Sequence, residues 1–150
     1  MVQNSIKFNP LIGKPELLEA SVRRILAPNP SPMTFRGTNT YLLGAHDIAV
    51  LDPGPNSQDH LKAILSALEP SQKITHILVT HSHIDHSPLA IALSQASGAK
   101  IYGFGPTGSG QSGVMRELIA SGYQGDDEGS DKEFQPDIYL KEGDEIKAEG

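Results

Sequence analysis

A dense cluster of metal-type donor side chains separates two regular elements of this chain. Three histidines and one aspartate fall within six consecutive positions: His81, His83, Asp85 and His86. The apolar, β-branched run from Ile74 to Thr80 predicts a buried strand before the cluster. After it, Ser87 suits a helix cap and Pro88 the first helical position. A loop fixed at both ends loses little entropy on binding a ligand, so the pattern predicts a strand–loop–helix unit that carries a ligand cluster.

The spacing of these donors favours two metal positions. His81 and His83 are two residues apart and can face the same way in an extended segment. Asp85 and His86 are adjacent and diverge, so they can serve a second ion. Because the sequence contains no cysteine, disulfides and thiolate ligands are excluded, and any metal must be held by nitrogen and oxygen. Zinc suits this donor set, and manganese or iron accept the same donors.

A histidine-rich surface loop without function is the alternative interpretation of the cluster, and the density of ligand-type side chains disfavours it. The other histidines are interpreted in the opposite way. His46 lies in a predicted turn, His60 on a predicted helix and His76 in a predicted strand, and none has a neighbouring ligand in sequence. They are predicted to be ordinary surface or packed residues.

A second pattern, from Gly103 to Gly108, matches the G-x-G-x-x-G fingerprint of dinucleotide-binding turns. It follows a predicted strand, and acidic residues stand near the expected distance at Asp126 and Asp127. However, no helix pattern opens directly after it, and Pro106 intrudes. The pattern therefore favours a flexible loop over a nucleotide site.

Strands alternate with helices along most of the chain, which predicts an α/β arrangement in one domain of residues 1–150. Strands are predicted at residues 21–27, 38–43, 48–51, 74–80, 100–104 and 138–140, with strand-like character at 144–147. Helices are predicted at residues 57–68, 88–97 and 114–121, each with an apolar stripe at helical spacing. Residues 105–137 are predicted to be a mobile insert.

Composition limits the compartments and partners that suit the chain. Hydrophobic residues make up 37% and charged residues 20% of the 150 positions, which is typical of a soluble globular protein. No apolar run approaches the roughly 20 residues of a membrane span, and the first residues lack the pattern of a secretory signal. These features predict a cytoplasmic protein without a membrane partner. The formal net charge of -6 disfavours broad, nonspecific attraction to nucleic acid.

The segment from Thr80 to His86 resembles the metal loop of the metallo-β-lactamase superfamily. Residues 37–44 and 50–54 resemble the first hairpin of that family, and the resemblance covers roughly residues 20–104. The combination is similar to the subgroup that includes glyoxalase II relatives and single-strand endoribonucleases. The resemblance implies an αββα sandwich built from two similar halves, with a mixed sheet flanked by helices. This chain would form the N-terminal half.

The resemblance also implies metal-assisted hydrolysis at a binuclear site. His81 and His83 would hold the first metal, Asp85 and His86 the second, and Asp52 would lie beneath the site in a supporting role. Asp85 would in addition orient the attacking hydroxide, which makes it the candidate catalytic residue. The substrate would be an ester, thioester, lactone, β-lactam or phosphodiester, carried by a small molecule or by single-stranded nucleic acid.

The family draws further ligands, two histidines and a bridging aspartate, from its second half, and no histidine follows His86 here. The sequence ends at Gly150 within a strand-like alternation, so a truncated chain is expected. Such a chain should bind metal weakly, have little activity, and self-associate through an uncovered apolar sheet face. A non-catalytic binding or scaffold fragment is the alternative. It predicts that substituting His81 or Asp85 leaves stability and partner binding unchanged.

Overall fold

The computed structural model describes residues 9–123 and 129–147. Within these ranges a single mixed sheet has its strands in chain order, and helices connect its later strands. The strands are β1 (Pro15–Glu19), β2 (Val22–Leu26), β3 (Asn39–Leu43), β4 (Asp47–Leu51), β5 (Lys73–Leu78), β6 (Lys100–Gly103) and β7 (Ile138–Tyr139). The helices are α1 (Gln58–Ser66), α2 (Leu89–Ser97) and α3 (Gly113–Ala120). The predicted α/β class is confirmed.

The direction of the strands changes at β4. Strands β1 to β4 are antiparallel neighbours, whereas β4, β5, β6 and β7 run parallel and are joined by the three described helices. Leu51 at the end of β4 pairs with Leu78 at the end of β5. Because these strands are parallel, the residues that follow them, Asp52 and the loop after Val79, meet at the same edge of the sheet.

The core lies between one face of the sheet and the first two helices. Residues of the central strands and of these helices form it: Ile48, Val50, Ile74, Ile77, Ile64, Leu89 and Leu93. Burying each such aliphatic side chain contributes about 1.5–3 kcal/mol. Helix α1 begins where the sequence predicts, because the Ser57 side chain accepts a hydrogen bond from the His60 amide. Gly98 ends α2 in the left-handed conformation, at φ 76°.

The opposite face of the sheet carries a second set of apolar side chains. Leu51, Leu78 and Tyr102 are successive neighbours across β4, β5 and β6, and they are only half-buried. Helices α1 and α2 pack on the face that carries the core. Self-association through this face stays a prediction.

Two local predictions differ from the structure, and one strand was not predicted. Ser87 is not the cap of α2: that position is Pro88, and no side chain caps the helix. The buried Ser87 hydroxyl instead donates to Asp131 Oδ2, at 2.9 Å, and lies 3.3 Å from the His83 carbonyl. Strand β1 was not predicted, since all its residues are exposed and show no alternation. Among the described residues after 140, no strand forms at 144–147.

Residues 105–137 contain structured portions. Phe134 is buried in the core, and its carbonyl accepts a hydrogen bond from the Thr107 amide. The apolar stripe of α3 is exposed, with Val114 at 69%. Asp126 and Asp127 lie outside the described residues, and no helix opens directly after Gly108. The mobility of this insert stays a prediction. None of the helices in the described ranges is long and apolar enough to cross a membrane.

Candidate metal centre

Asp52 lies directly beneath the histidine-rich loop. Its backbone is in the left-handed region, at φ 51°, which aspartate tolerates better than most residues. The Asp52 amide donates to the Leu78 carbonyl, at 2.8 Å, and this contact fixes the turn against the end of β5. One carboxylate oxygen accepts from the Thr80 amide, at 2.8 Å. The other accepts from the Thr80 hydroxyl, at 2.8 Å, and from His86 Nδ1, at 2.9 Å.

These contacts decide which ring nitrogens carry protons. A carboxylate only accepts hydrogen bonds, so His86 must donate through Nδ1 to Asp52. Thr80 gives its single hydroxyl proton to Asp52, so its 2.9 Å contact with His81 Nδ1 requires His81 to donate. In the neutral form, both rings therefore keep an unprotonated Nε2. A second nitrogen fixed by such a contact is the usual arrangement of a metal-binding histidine.

The same contacts shift the pKa values of Asp52, His86 and His81. Burial alone would raise the pKa of the Asp52 carboxyl, but hydrogen bonds from His86 and Thr80 outweigh it and lower that pKa. The hydrogen bond to Asp52 raises the pKa of His86, against burial and with help from the charges of Asp52 and Asp85. By contrast, burial and the nearby rings of His86 and His83 lower the pKa of His81. Asp52 is thus an anion at neutral pH that stabilises a positive charge on His86.

One oxygen of Asp85 contacts both Thr38 and His86. Its Oδ2 accepts a hydrogen bond from the Thr38 hydroxyl, at 2.8 Å, and lies 3.2 Å from His86 Nε2. The Asn29 side chain fixes Thr38, because its Nδ2 donates to the Thr38 hydroxyl and its Oδ1 accepts from the Thr38 amide. Thr38 is 7% exposed, so its hydrogen bonds to Asn29 and Asp85 are mostly shielded from water.

The three imidazoles of the loop lie side by side. The ring of His81 is 4.6 Å from that of His83, nearly perpendicular, and 4.2 Å from that of His86. Even so, in residues 9–123 and 129–147 no group of three or more His, Asp or Glu side chains has an arrangement that could hold a metal ion. The oxygens of Asp52 are occupied by Thr80 and His86. Asp85 Oδ2 and His86 Nε2 lie 3.2 Å apart, and the ring of His81 is closer to that of His86 than to that of His83.

The chemistry of the pair formed by Asp85 and His86 fits a cation. Asp85 Oδ2 and His86 Nε2 both carry lone pairs and are 3.2 Å apart, so a proton or a metal ion between them satisfies both. The second pair, His81 and His83, is exposed and offers imidazole nitrogen. These nitrogen and oxygen donors suit zinc, manganese and iron alike.

A distant segment covers the far side of the loop. The Ile84 amide donates to the Gly129 carbonyl, at 2.9 Å, and the Asp131 amide to the Ser82 carbonyl, at 2.6 Å. The Ser87 hydroxyl donates to Asp131 Oδ2, at 2.9 Å. The loop is thus held from below by Asp52 and from above by residues 129–131.

Sequence reasoning missed the residues that brace the site. Neither Thr38 nor Asn29 nor Asp131 was singled out, and their partners are far away in sequence. A usable signal was the alternation of Thr38 and Thr40 at a strand entrance, since period-two hydroxyls share one face. Of the other histidines, His76 contacts Thr75 and Tyr102 in the sheet, and His60 is buried beneath the Asp52 turn.

Comparison with known proteins assigns a family to this fold and loop. The model of the metallo-beta-lactamase superfamily matches residues 33–150. A beta-lactamase-like protein 2 homolog from Caenorhabditis elegans is 45% identical over 74 residues, which are 47% of this chain and 25% of that protein. The homolog from Drosophila melanogaster is 47% identical over 74 residues, again 25% of its length. The lactamase-like protein adaB of Aspergillus niger is 38% identical over 80 residues, or 52% of this chain and 25% of its own.

Solved structures share the fold at lower sequence identity. A metallo-beta-lactamase from Cronobacter sakazakii superposes with a TM-score of 0.60 and 17% identity, covering 93% of this chain and 51% of that one. The subclass B3 enzyme BJP-1 of Bradyrhizobium japonicum gives a TM-score of 0.58 at 17% identity, covering 90% and 48%. The chain therefore spans about half of these structures and about a quarter of the sequence relatives. Since the family model matches well over half of its residues, the chain belongs to the metallo-beta-lactamase superfamily.

Proposed function

We propose that this chain supplies one side of a binuclear zinc centre of a metal-dependent hydrolase. Membership of the superfamily supports the general class of reaction. The observation that carries the proposal is the placement of His86: Asp52 fixes its Nδ1, and its Nε2 faces Asp85 Oδ2 at 3.2 Å. A histidine oriented by one carboxylate toward another is arranged to bind a cation.

Each residue of the loop then has a distinct role. His81 and His83 would hold one metal ion, and Asp85 and His86 the other, while Asp52 orients His86 through Nδ1. Zinc is the proposed metal, with manganese or iron as alternatives. Such ions, when bound, polarise the scissile group and lower the pKa of water. The Asp85 carboxylate, oriented by Thr38, would position the attacking water.

The substrate class stays broad. An ester, thioester, lactone or phosphodiester suits this chemistry, on a small molecule or on single-stranded nucleic acid. The net charge of -6 works against long-range attraction of a polyanion, so a nucleic acid would need local contacts. Because the chain matches about a quarter of its sequence relatives' length, complete activity is proposed for an assembled site with further ligands. A cytoplasmic location is part of the same proposal.

A non-catalytic binding or scaffold fragment is the second candidate. It is favoured by one observation: no three-donor group able to hold a metal exists among the described residues. The two functions differ in what the paired donors do when metal is offered. A fragment of the second kind would show no selective response of the loop histidines.

The test is a zinc titration of the chain followed by NMR of the histidine ring nitrogens. The hydrolase proposal expects the first shifts at His81, His83 and His86, with Nε2 of His81 and His86 as the nitrogens that bind. His46 and His76, which lie outside the loop, serve as internal controls. NMR also detects weak binding, so a low affinity does not obscure the answer. Equal shifts at all five rings, or none, would contradict the proposal.

The variant Asp85→Asn provides a matched control for that titration. It keeps the shape of the side chain and an oxygen that can accept from Thr38, but removes the negative charge. We expect at least tenfold weaker zinc binding by His86 and a smaller effect at His83. An unchanged affinity at His86 would show that Asp85 is not a ligand.

A further inference from the structure

A buried histidine lies below the metal loop without belonging to it. His60, on α1, is 1% exposed, and its Nε2 is 2.8 Å from the Thr40 hydroxyl of β3. That hydroxyl donates to the backbone carbonyl of Asp52, at 2.8 Å. A helix, a strand and the turn beneath the site are thus connected by two consecutive hydrogen bonds.

The direction of this chain of hydrogen bonds can be derived. Thr40 has one hydroxyl proton, and the Asp52 carbonyl can only accept it. The contact between Thr40 and His60 must therefore use a proton on His60 Nε2, and in the neutral ring Nδ1 is then unprotonated. Among the described residues Nδ1 has no hydrogen-bond partner. Burial accordingly lowers the pKa of His60 to about 4, which keeps the ring in this form at neutral pH.

The same ring also packs against the end of the turn. Gly54 has φ +100°, and a Cβ at this position would lie 3.0 Å from His60 Cδ2. The Gly54 amide donates to the His86 carbonyl, at 3.0 Å, and its carbonyl accepts from the Leu89 amide, at 3.1 Å. His60 therefore contacts a turn that holds the metal loop at both ends, through the Asp52 carboxylate and through the Gly54 backbone.

The turn needs such support because of its backbone conformation. Asp52 sits at φ 51°, a region that a non-glycine residue keeps only where its surroundings enforce it. The hydrogen bond from Thr40 to the Asp52 carbonyl is one such constraint, and the proton on His60 Nε2 holds the Thr40 hydroxyl in the orientation that makes this bond. Losing that donor would leave the buried Thr40 oxygen with one partner fewer, so the hydroxyl would be freer to rotate and would hold the Asp52 carbonyl less firmly.

We infer that His60 is a positioning residue for the metal loop: acting through Thr40 and Gly54, it fixes the turn from which Asp52 orients His86. Its relevance to catalysis rests on the proposed function, whereas its effect on the loop does not. Helix α1 thereby becomes part of the site, although it contributes no ligand. His60 is predicted from sequence to be an ordinary packed residue, and its burial agrees with packing but does not explain the directed hydrogen bonds.

The test separates the hydrogen bond of His60 from its volume. In His60→Gln the amide nitrogen can take the place of Nε2 and donate to Thr40, whereas His60→Leu fills the space without a donor. Hydrogen exchange is measured on the metal-free chain at the amides of Thr80 and Gly54, which report the hold of Asp52 and of His86. Amides of β3 and β5 report global opening.

We expect His60→Leu to lower the protection of the Thr80 and Gly54 amides at least tenfold beyond any change in β3 and β5. His60→Gln should recover most of that loss. Equal loss at all amides, or equal protection in both variants, would overturn the inference, since volume alone would then account for His60. Thr40→Val, with Thr40→Ser as its control, tests the same chain of hydrogen bonds if the leucine variant fails to fold.

Zinc titration of the same variants separates this inference from the proposed function. If the turn at Asp52 and Gly54 orders the ligands of the metal loop, His60→Leu should weaken zinc binding at His86 severalfold, and His60→Gln should restore it. A wild-type chain whose loop histidines ignore zinc would contradict the proposed function while the exchange result still decides the role of His60. Conversely, selective zinc binding with unchanged exchange in His60→Leu would overturn the inference alone.

Discussion

The two donor pairs of the metal loop are supported very differently. Asp85 and His86 are half-buried, and each side chain has a further partner, Thr38 for Asp85 and Asp52 for His86. His81 and His83 are exposed, and the described contacts of the His83 ring are limited to the ring of His81. A ligand that is already oriented loses less entropy on binding, so of the two proposed metal positions the one at Asp85 and His86 is better prepared.

The largest expected effect comes from removing the carboxylate that supports the better-prepared pair. Asp52→Ala should lower the free energy of unfolding by about 3–5 kcal/mol, because Thr80 and His86 lose a buried charged partner. Urea denaturation followed by circular dichroism measures this change. The exposed Asp59→Ala is the matched control and should stay within about 0.5 kcal/mol of wild type. A loss below about 1 kcal/mol for Asp52→Ala would remove the physical basis of the contrast between the pairs.

The next effect depends on pH and acts through His60. Its pKa is about 4 in the folded chain against 6.5 in the unfolded chain, so between these values the unfolded chain binds the extra proton. Stability from the neutral ring is therefore complete above pH 6.5 and is lost as the pH falls toward about 4. The loss amounts to about 3 kcal/mol. Urea denaturation at pH 7 and pH 4.5 should show a smaller decrease in His60→Gln than in wild type.

The comparison with His60→Gln isolates the histidine from other titrating groups. Asp52, whose pKa is lowered, also contributes to acid destabilisation, and it does so in both proteins. The difference between the two pH slopes therefore belongs to residue 60. Parallel slopes would mean that His60 takes up its proton as readily in the folded chain as in the unfolded one.

Local patterns in the sequence were sufficient to predict the strand, turn and helix that position the site. The apolar run ending at Thr80, the turn at Asp52 and the stripe of α1 each depend on residues close together, so strand and helix positions were predictable. Parallel pairing of β4 with β5 then follows from the alternation of elements. β1 escaped prediction because an exposed edge strand has no buried face to impose a pattern.

The braces of the site could not be predicted in the same way. Thr38 and Asp85 are 47 residues apart, and Ser87 and Asp131 are 44 apart, so no local periodicity links them. Hydroxyl and amide side chains are common in loops, and only the fold decides which of them meet a carboxylate. The proposed ligands were recognisable because they lie close together in the sequence. The residues that contact them are far away in sequence and meet them only in the folded chain.

A smaller effect should follow from loosening Asp85 on its other side. Thr38→Val removes the hydroxyl that donates to Asp85 and leaves an Asn29 donor without its partner. We expect a loss of about 1–2 kcal/mol in the free energy of unfolding and roughly tenfold weaker zinc binding at His86. Thr38→Ser keeps the hydroxyl and should behave as wild type in the zinc titration. Equal zinc affinity in the valine and serine variants would show that Asp85 needs no brace.

The smallest effect should come from the exposed pair. In His83→Ala the backbone carbonyl still accepts hydrogen bonds from the His86 and Ser87 amides, and only an exposed ring is lost. The free energy of unfolding should therefore change by less than about 0.5 kcal/mol. His86→Ala, which removes one of the donors to the buried Asp52 carboxylate, should cost about 2 kcal/mol in the same urea titration. An equal loss of unfolding free energy in both variants would contradict the comparison. The contacts of Asp52 and Thr38 would then give the pair of Asp85 and His86 no more support than the exposed pair has.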